Sequence, residues 1–166
     1  QGQRIDLSQF ECSVSTLGGP LLYGIVNDDP LPRRGNRSSS AAPQGVYRCA
    51  GEDEWCAISV QNGHQWKSLV TVLGELEWGD GERFATVSDR MQNHDEIDGR
   101  IEAWASERTP VEVEQALLDA GVPAGRMRRI QALMDDPDGA TVFRRLDTPK
   151  YGAVTVVDLP FPRSSV

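Results

Sequence analysis

The chain has no apolar run near the roughly 18 residues that a membrane-spanning helix requires, so a helical membrane protein is not expected. It is also short of the residues that nucleophilic and metal chemistry use most. There are two histidines, His64 and His94, and three cysteines, Cys12, Cys49 and Cys56, among 166 residues. Three cysteines make no disulfide framework, and an odd count leaves one thiol unpaired in any pairing. A reducing, cytoplasmic setting is the simplest expectation. Cys49 and Cys56 have no third and fourth ligand at zinc spacing, so they read as small buried apolar residues on strands, and no metal is expected. His64 reads as a capping or surface residue and His94 as a surface residue in the first turn of a helix.

Local signatures are missing as well. No G-x-S-x-G, P-loop or G-x-G-x-x-G occurs, which removes the commonest marks of hydrolases, nucleotide phosphate sites and dinucleotide folds. The acidic runs Glu52-Asp53-Glu54 and Asp135-Asp136 lack calcium-loop spacing and read as solvated turns or helix ends. A signal peptide and a starting methionine are both lacking. The first residues, Gln1-Gly2-Gln3-Arg4-Ile5-Asp6-Leu7-Ser8, read as the run into a helix, so a piece of a longer protein is expected.

Cations are outnumbered. Lys+Arg total 17 against 25 Asp+Glu, a formal charge of −8, and the sequence pI is near 4.7. Phosphate backbones are bound by clustered cations that release counterions, so nucleic acid is not expected as a partner, nor an anionic membrane surface. Two basic groups stand out: Arg33, Arg34 and Arg37, and then Arg126, Arg128 and Arg129. Either is open to two readings, a site for a small phosphorylated ligand or solvated surface.

What is present is an ordinary globular composition, 39% hydrophobic and 25% charged, at one domain's length. Residues 8–26 show helical periodicity with Ser8 as N-cap, interrupted by Gly18-Gly19-Pro20, which should kink or split the helix. Residues 27–44 hold prolines, small residues and a polar run, an extended linker or loop. Gly45–Cys49 and Trp55–Val60 read as a β-hairpin with Tyr47, Trp55 and Ile58 supplying its apolar faces. His64–Leu73 reads as a helix ended by Gly74, and Trp78-Gly79-Asp80-Gly81 as a glycine-rich turn before a polar stretch. Asn93 and Glu96 suggest a capping-box variant for a helix carrying Ile97, Ile101, Trp104 and Ala105. Thr109-Pro110-Val111-Glu112 opens the next helix, which closes at Ala120-Gly121. Val122–Gly125 reads as a loop, followed by a short helix carrying Met127, Ile130, Leu133 and Met134 and ended by Asp135–Gly139. Two closing strands follow, around Val142-Phe143 and Tyr151–Leu159, stopped by Pro160-Phe161-Pro162. The opening helix and closing strands lack obvious partners within the chain. The sum is an α+β unit with flanking segments.

The run from Gly35 to Gly45 is the most informative for function. Small residues keep a loop mobile and let its backbone N–H groups approach a ligand or an anionic intermediate; a plain interdomain linker is the other reading.

Several segments together carry a resemblance. Gly2–Ser8, Pro32-Arg33-Arg34-Gly35-Asn36-Arg37, Ala42-Pro43-Gln44-Gly45-Val46-Tyr47-Arg48-Cys49, Trp55–Val60, Trp66, Arg83-Phe84-Ala85-Thr86, Gly121–Gly125 and Pro160-Phe161 follow the order seen in the family III CoA-transferases. This is the CaiB/BaiF family, which includes formyl-CoA and carnitine CoA-transferases and α-methylacyl-CoA racemases, and the resemblance runs over nearly the whole chain.

The resemblance implies a subunit with a large Rossmann-like domain and a small α+β domain, two subunits being threaded through each other as an interlocked homodimer. On that frame residues 1–26 end a large-domain segment, 27–44 are the linker and active-site loop, 45–140 are the small domain, and 141–166 are strands returning toward the large domain. Activity would be transfer of CoA from an acyl-CoA to a carboxylate through an aspartyl thioester. The CoA thioester is a substrate, and no cofactor is bound permanently. The family's nucleophilic aspartate falls upstream of the segment matched by Gly2–Ser8, so no catalytic residue is assigned within this chain, and the chain alone is expected to be inactive. The active-site loop corresponds to Ser38, Ser39, Ser40, Ala41, Ala42, Pro43 and Gln44, where formyl-CoA transferases carry a glycine-rich run that shields the intermediates from water; here the run is Ser and Ala instead. The racemase branch carries an acid in a pattern like I-E-P-Q-F; Gln61-Asn62-Gly63-His64-Gln65-Trp66 lacks it, which favours a transferase over a racemase. A non-catalytic interaction module derived from the family is the remaining alternative.

Overall fold

The computed structural model describes residues 2, 4, 6–28, 33–135 and 142–157. The chain divides into two compact units, Gln1–Gly35 and Asn36–Val166.

The first unit carries two helices. Helix α1 (Gln9–Thr16) starts where Ser8 Oγ accepts from the Glu11 N–H at 3.3 Å, and α2 (Gly18–Asn27) follows after Leu17. The expected split at Gly18-Gly19-Pro20 is thus present, with Pro20 in the first turn of α2, where a missing N–H leaves no intrahelical bond unmade. Leu21, Leu22, Ile25 and Val26 are all exposed.

The second unit is built on a three-stranded antiparallel sheet in the order β1 (Gln44–Arg48), β2 (Trp55–Ser59), β3 (Ala124–Arg126). Val46 stands opposite Ala57, and Ala57 opposite Gly125. The period of two turns Tyr47, Cys56 and Ile58 to the core, while Val46 and Ala57 stay exposed. β3 falls where a loop was expected. It is three residues long, and Ala-Gly-Arg has little strand propensity; pairing with β2 imposes the conformation. Flanking bonds from Ser59 N–H to Pro123 O (3.0 Å) and Met127 N–H to Trp55 O (2.8 Å) hold its ends. Met127 therefore precedes the short helix α8 (Ile130–Asp135) rather than lying on it.

Helices α3 (Gly63–Leu73), α6 (His94–Ser106) and α7 (Pro110–Asp119) cover the inner face. Their apolar stripes, Trp66, Leu69 and Val70, then Ile97, Ile101 and Ala105, then Val113 and Leu117, form one core with Tyr47, Cys49, Cys56, Ile58 and Val60. Asn62 caps α3, and Gly74 at φ +75° ends it. Thr109 and Glu112 form the expected capping box on α7, with Pro110 in the first turn.

Three local expectations are corrected. Of the expected turn Trp78–Gly81, Trp78 and Gly79 end the short helix α4 (Leu76–Gly79), Asp80 and Gly81 turn the chain, and a 3-10 turn (Glu82–Phe84) follows. Gly79 is required there, since a Cβ would sit 2.3 Å from a Val70 methyl, and its carbonyl accepts from Trp66 Nε1 at 3.0 Å. The polar stretch beyond contains α5 (Val87–Gln92), opened by a Thr86/Asp89 capping box. Asn93 makes no side-chain cap for α6; its amide donates to the carbonyls of Asp89 and Arg83 instead, and Glu96 is taken by Trp78 and Arg83.

The closing strands β4 (Phe143–Thr148) and β5 (Gly152–Val157) find their partners in each other, as an antiparallel hairpin turned at Gly152 with φ +68°. The expected stops at Pro137–Gly139 and Pro160–Pro162 lie outside the described residues.

Candidate functional site

The run Asn36–Gln44 lies along the second unit without regular structure until Gln44, which opens β1. The seven loop residues do not share one environment. Ser39 and Ser40 are exposed and Ser38 is half-buried, whereas Ala41, Ala42 and Pro43 are buried. Small side chains at 41 and 42 thus serve close packing, and the run divides into a buried half, Ala41–Pro43, and an exposed tip around Ser39 and Ser40.

Backbone pairing fixes the buried half. Ala42 N–H donates to Val60 O (3.0 Å), and Val60 N–H donates to Pro43 O (2.8 Å). The Ala42–Pro43 peptide is cis. Gln44 adds side-chain bonds, Nε2 to Asn36 O at 3.2 Å and Oε1 from Ser59 Oγ at 3.1 Å. At the tip, Ser38 Oγ and Ser40 Oγ are 3.2 Å apart, and Ser38 Oγ accepts from the Ser40 N–H at 3.0 Å.

Two side chains reach this segment from α5 and α6. Arg90 is fully buried; its Nε donates to Ala42 O at 2.7 Å and its Nη1 to Phe84 O at 2.9 Å. Its guanidinium lies 5.4 Å from the Trp66 ring, and Nη2 has no hydrogen-bond partner among the described residues. Burial lowers the pKa of Arg90 from its ordinary value, and the group stays charged. His94 is buried too, where a surface position was expected, and its Nε2 accepts the Gln44 N–H at 3.3 Å.

An acceptor nitrogen carries no proton, so His94 is neutral in this arrangement, with the tautomer set by the network. The 3.6 Å approach of its Nε2 to Asp98 Oδ1 is therefore not an ion pair. Asp98 is satisfied elsewhere, by Tyr47 OH at 2.7 Å and Arg37 Nη2 at 2.7 Å. Arg37 also bonds Asp95, and this contact holds the Asp95 carboxyl below the usual carboxylate range. Burial is the main cause that pushes His94 below the ordinary imidazole value; Arg37 adds to it, and Asp98 and Asp95 oppose. Burial, then the charge of Asp98 and the bond to it, drives the Tyr47 hydroxyl far up.

Other candidates disperse. Arg37 is committed to α6; Arg126 pairs with Glu114 at 2.7 Å and Arg129 with Glu54 at 3.3 Å. Cys49 and Cys56 are buried, burial being the main cause that pushes Cys56 up to about 11, and Cys12 is exposed. No group of three or more potential metal ligands occurs among the described residues. His64 is exposed, beside a hollow of about 600 Å³ floored by Trp66 and Phe84. A second hollow, about 410 Å³, adjoins the loop on the outer face of the sheet, between Asn36, Gln44, Val46, Ala57, Ser59 and Gly125.

Chemically, this arrangement holds a loop in shape. It sets no activated nucleophile: the Ser38 and Ser40 hydroxyls bond each other, and His94 faces a backbone amide. Arg90, His94, Tyr47 and Asp98 were not legible as site residues. The one available signal was polar residues, Arg90 and His94, recurring with Val87 at the inward spacing i, i+3, i+7.

A family model described as CoA-transferase family III matches residues 1–165. A probable CoA-transferase of Mycobacterium tuberculosis is 41% identical over 92 residues, 55% of this chain and 12% of the relative. A succinyl-CoA–D-citramalate CoA-transferase of Chloroflexus aurantiacus is 26% identical over 137 residues, 82% of this chain and 34% of the relative. Among solved structures, a CaiB/BaiF family protein from Brucella suis superposes with a TM-score of 0.83 at 26% identity, covering 99% of this chain and 42% of that one. The chain thus spans less than half the length of each of these proteins.

Proposed function

The chain belongs to CoA-transferase family III, the CaiB/BaiF family, and from that premise we propose that the protein carrying it moves coenzyme A from an acyl-CoA to a free carboxylate. The observation that supports this reading is the match of the family over residues 1–165, joined to a structural likeness over 99% of the chain. In the proposed reaction an aspartate N-terminal to the Gly2–Ser8 segment attacks the donor thioester carbonyl. A mixed anhydride forms and CoA leaves as thiolate. The thiolate attacks the aspartyl carbonyl, giving the aspartyl-CoA thioester and releasing the donor acid. The acceptor carboxylate then attacks that thioester, again forming an anhydride and expelling thiolate. Attack of the thiolate on the acceptor's acyl carbon yields the new acyl-CoA and restores the aspartate, with no water consumed.

The role proposed for this chain is to supply the small domain, residues 45–140, and the loop Ser38–Gln44 that keeps water from the intermediates. The protein is proposed to work as an interlocked homodimer in the cytoplasm. The test is an assay of the full-length protein with a panel of acyl-CoA donors and carboxylate acceptors, following new acyl-CoA by mass. Formation of acceptor-CoA with an aspartyl thioester trapped by hydroxylamine supports the reading; turnover to free CoA alone, or none with any pair, contradicts it.

A further inference from the structure

Arg90 and His94 are the buried polar or charged side chains among the described residues, and both spend a hydrogen bond on one short stretch of backbone. Arg90 takes Ala42 O and His94 takes the Gln44 N–H, two residues apart. A buried guanidinium is costly, and an apolar side chain of similar volume fills a core at less cost. Here the cost is carried with no carboxylate bonded to the guanidinium and with Nη2 unbonded among the described residues, so packing alone does not account for it. What the two groups hold in common is the segment Ala42–Gln44. The other end of the run is tied as well, because Arg37 is bonded to Asp95 and Asp98 on α6. Between the two anchors stand Ser38, Ser39 and Ser40, whose hydroxyl bonds are local to the tip.

We propose that Arg90 and His94 are positioning residues that clamp the Ala42–Gln44 half of the active-site loop, so that motion over the reacting centre is confined to the Ser38–Ser40 tip. The proposal rests on the reading of 38–44 as the active-site loop. The clamp acts from two helices on two different backbone groups, a carbonyl and an amide, and fixes both the height and the direction of the strand entry at Gln44. Loosening either contact would let the buried half lift and admit water to the intermediates.

The test uses the full-length protein with Arg90→Lys, His94→Leu, His94→Gln and the core control Leu117→Ala. Lysine keeps the charge but not the fork; glutamine keeps an acceptor near the position of Nε2, and leucine does not. Hydrogen exchange should rise at least about tenfold for the Ala42 and Gln44 amides in Arg90→Lys and His94→Leu, with the Ser38–Ser40 amides changed less, and stay near wild type in His94→Gln and Leu117→Ala. The ratio of thioester hydrolysis to CoA transfer should rise by about the same factor in the first two variants, with KM for acyl-CoA changed less than about threefold. Equal exchange in all four variants, or a ratio that follows stability alone and so rises in Leu117→Ala, overturns the clamp. If the wild type transfers no CoA, the functional reading fails by itself, and the exchange pattern still decides whether Arg90 and His94 hold the segment.

Discussion

Arg90 Nε donates to the Ala42 carbonyl at 2.7 Å across a sequence separation of 48 residues, and the same guanidinium reaches Phe84 O at 2.9 Å. One side chain thus ties the loop before β1 to the turn before α5. Replacing Arg90 by Met keeps much of the volume and strands two buried carbonyls. A loss of about 2–4 kcal/mol is expected, read from the urea midpoint at constant m-value; a change under about 0.5 kcal/mol would show the carbonyls to be satisfied otherwise.

His94 gives the fold a pH response with a defined sign. Its folded pKa is depressed, chiefly by burial, so the unfolded chain binds the proton more readily than the folded one. Stability is then fully present above the ordinary imidazole value of about 6.5 and falls as pH drops through the folded pKa. The carboxylates held low by their partners, Asp89, Asp95, Glu96 and Glu112, act in a separate window. Their contribution is present above about pH 4 and is lost below it. Melting curves between pH 7.5 and about 5 should therefore show a declining midpoint that His94→Gln flattens. An unchanged slope in that variant would assign the response to another group.

Two glycines give opposite outcomes on alanine substitution. At Gly79 a Cβ meets Val70 at 2.3 Å, so Gly79→Ala should cost about 1–3 kcal/mol through overpacking of α4 on α3. At Gly99 nothing lies within 4 Å, and Gly99→Ala in the middle of α6 should stabilise by about 0.5–1 kcal/mol. Thermal denaturation of the pair checks both, and the same sign at the two positions would contradict the packing described.

Much of the fold was legible because local rules and tertiary packing agree. The Thr109–Glu112 box, the Gly74 stop, the split before Pro20 and the hairpin from Gln44 to Ser59 each follow from residues acting over a few positions. β3 was not legible, since three residues of low strand propensity are recruited by an edge 66 or more positions earlier, as Ala124 pairs with Ile58. α5 was missed because its one fully buried position, Arg90, is charged. The same fact hid the clamp: Arg90 and His94 read as surface by type, and only the carbonyl and amide they serve make them core residues. The irregular run before β1 was legible from its prolines, glycine and polar residues, but its division into a buried half and a serine tip depends on Val60, Arg90 and His94, which lie 16 to 52 residues beyond Gln44–Ala42 in the chain.

The measurement that tests the central claim most directly is oxygen tracing in the full-length protein. An acceptor carboxylate labelled with heavy oxygen is mixed with unlabelled acyl-CoA in ordinary water, and the released donor acid is weighed by mass spectrometry. Transfer through the aspartate predicts that acceptor-derived oxygen passes to the aspartate and then appears in the donor acid over successive turnovers, while the new acyl-CoA keeps one labelled oxygen. Donor acid that stays free of the heavy isotope over many turnovers, with no labelled acyl-CoA formed, would mean that the protein hydrolyses its thioester and would contradict the account.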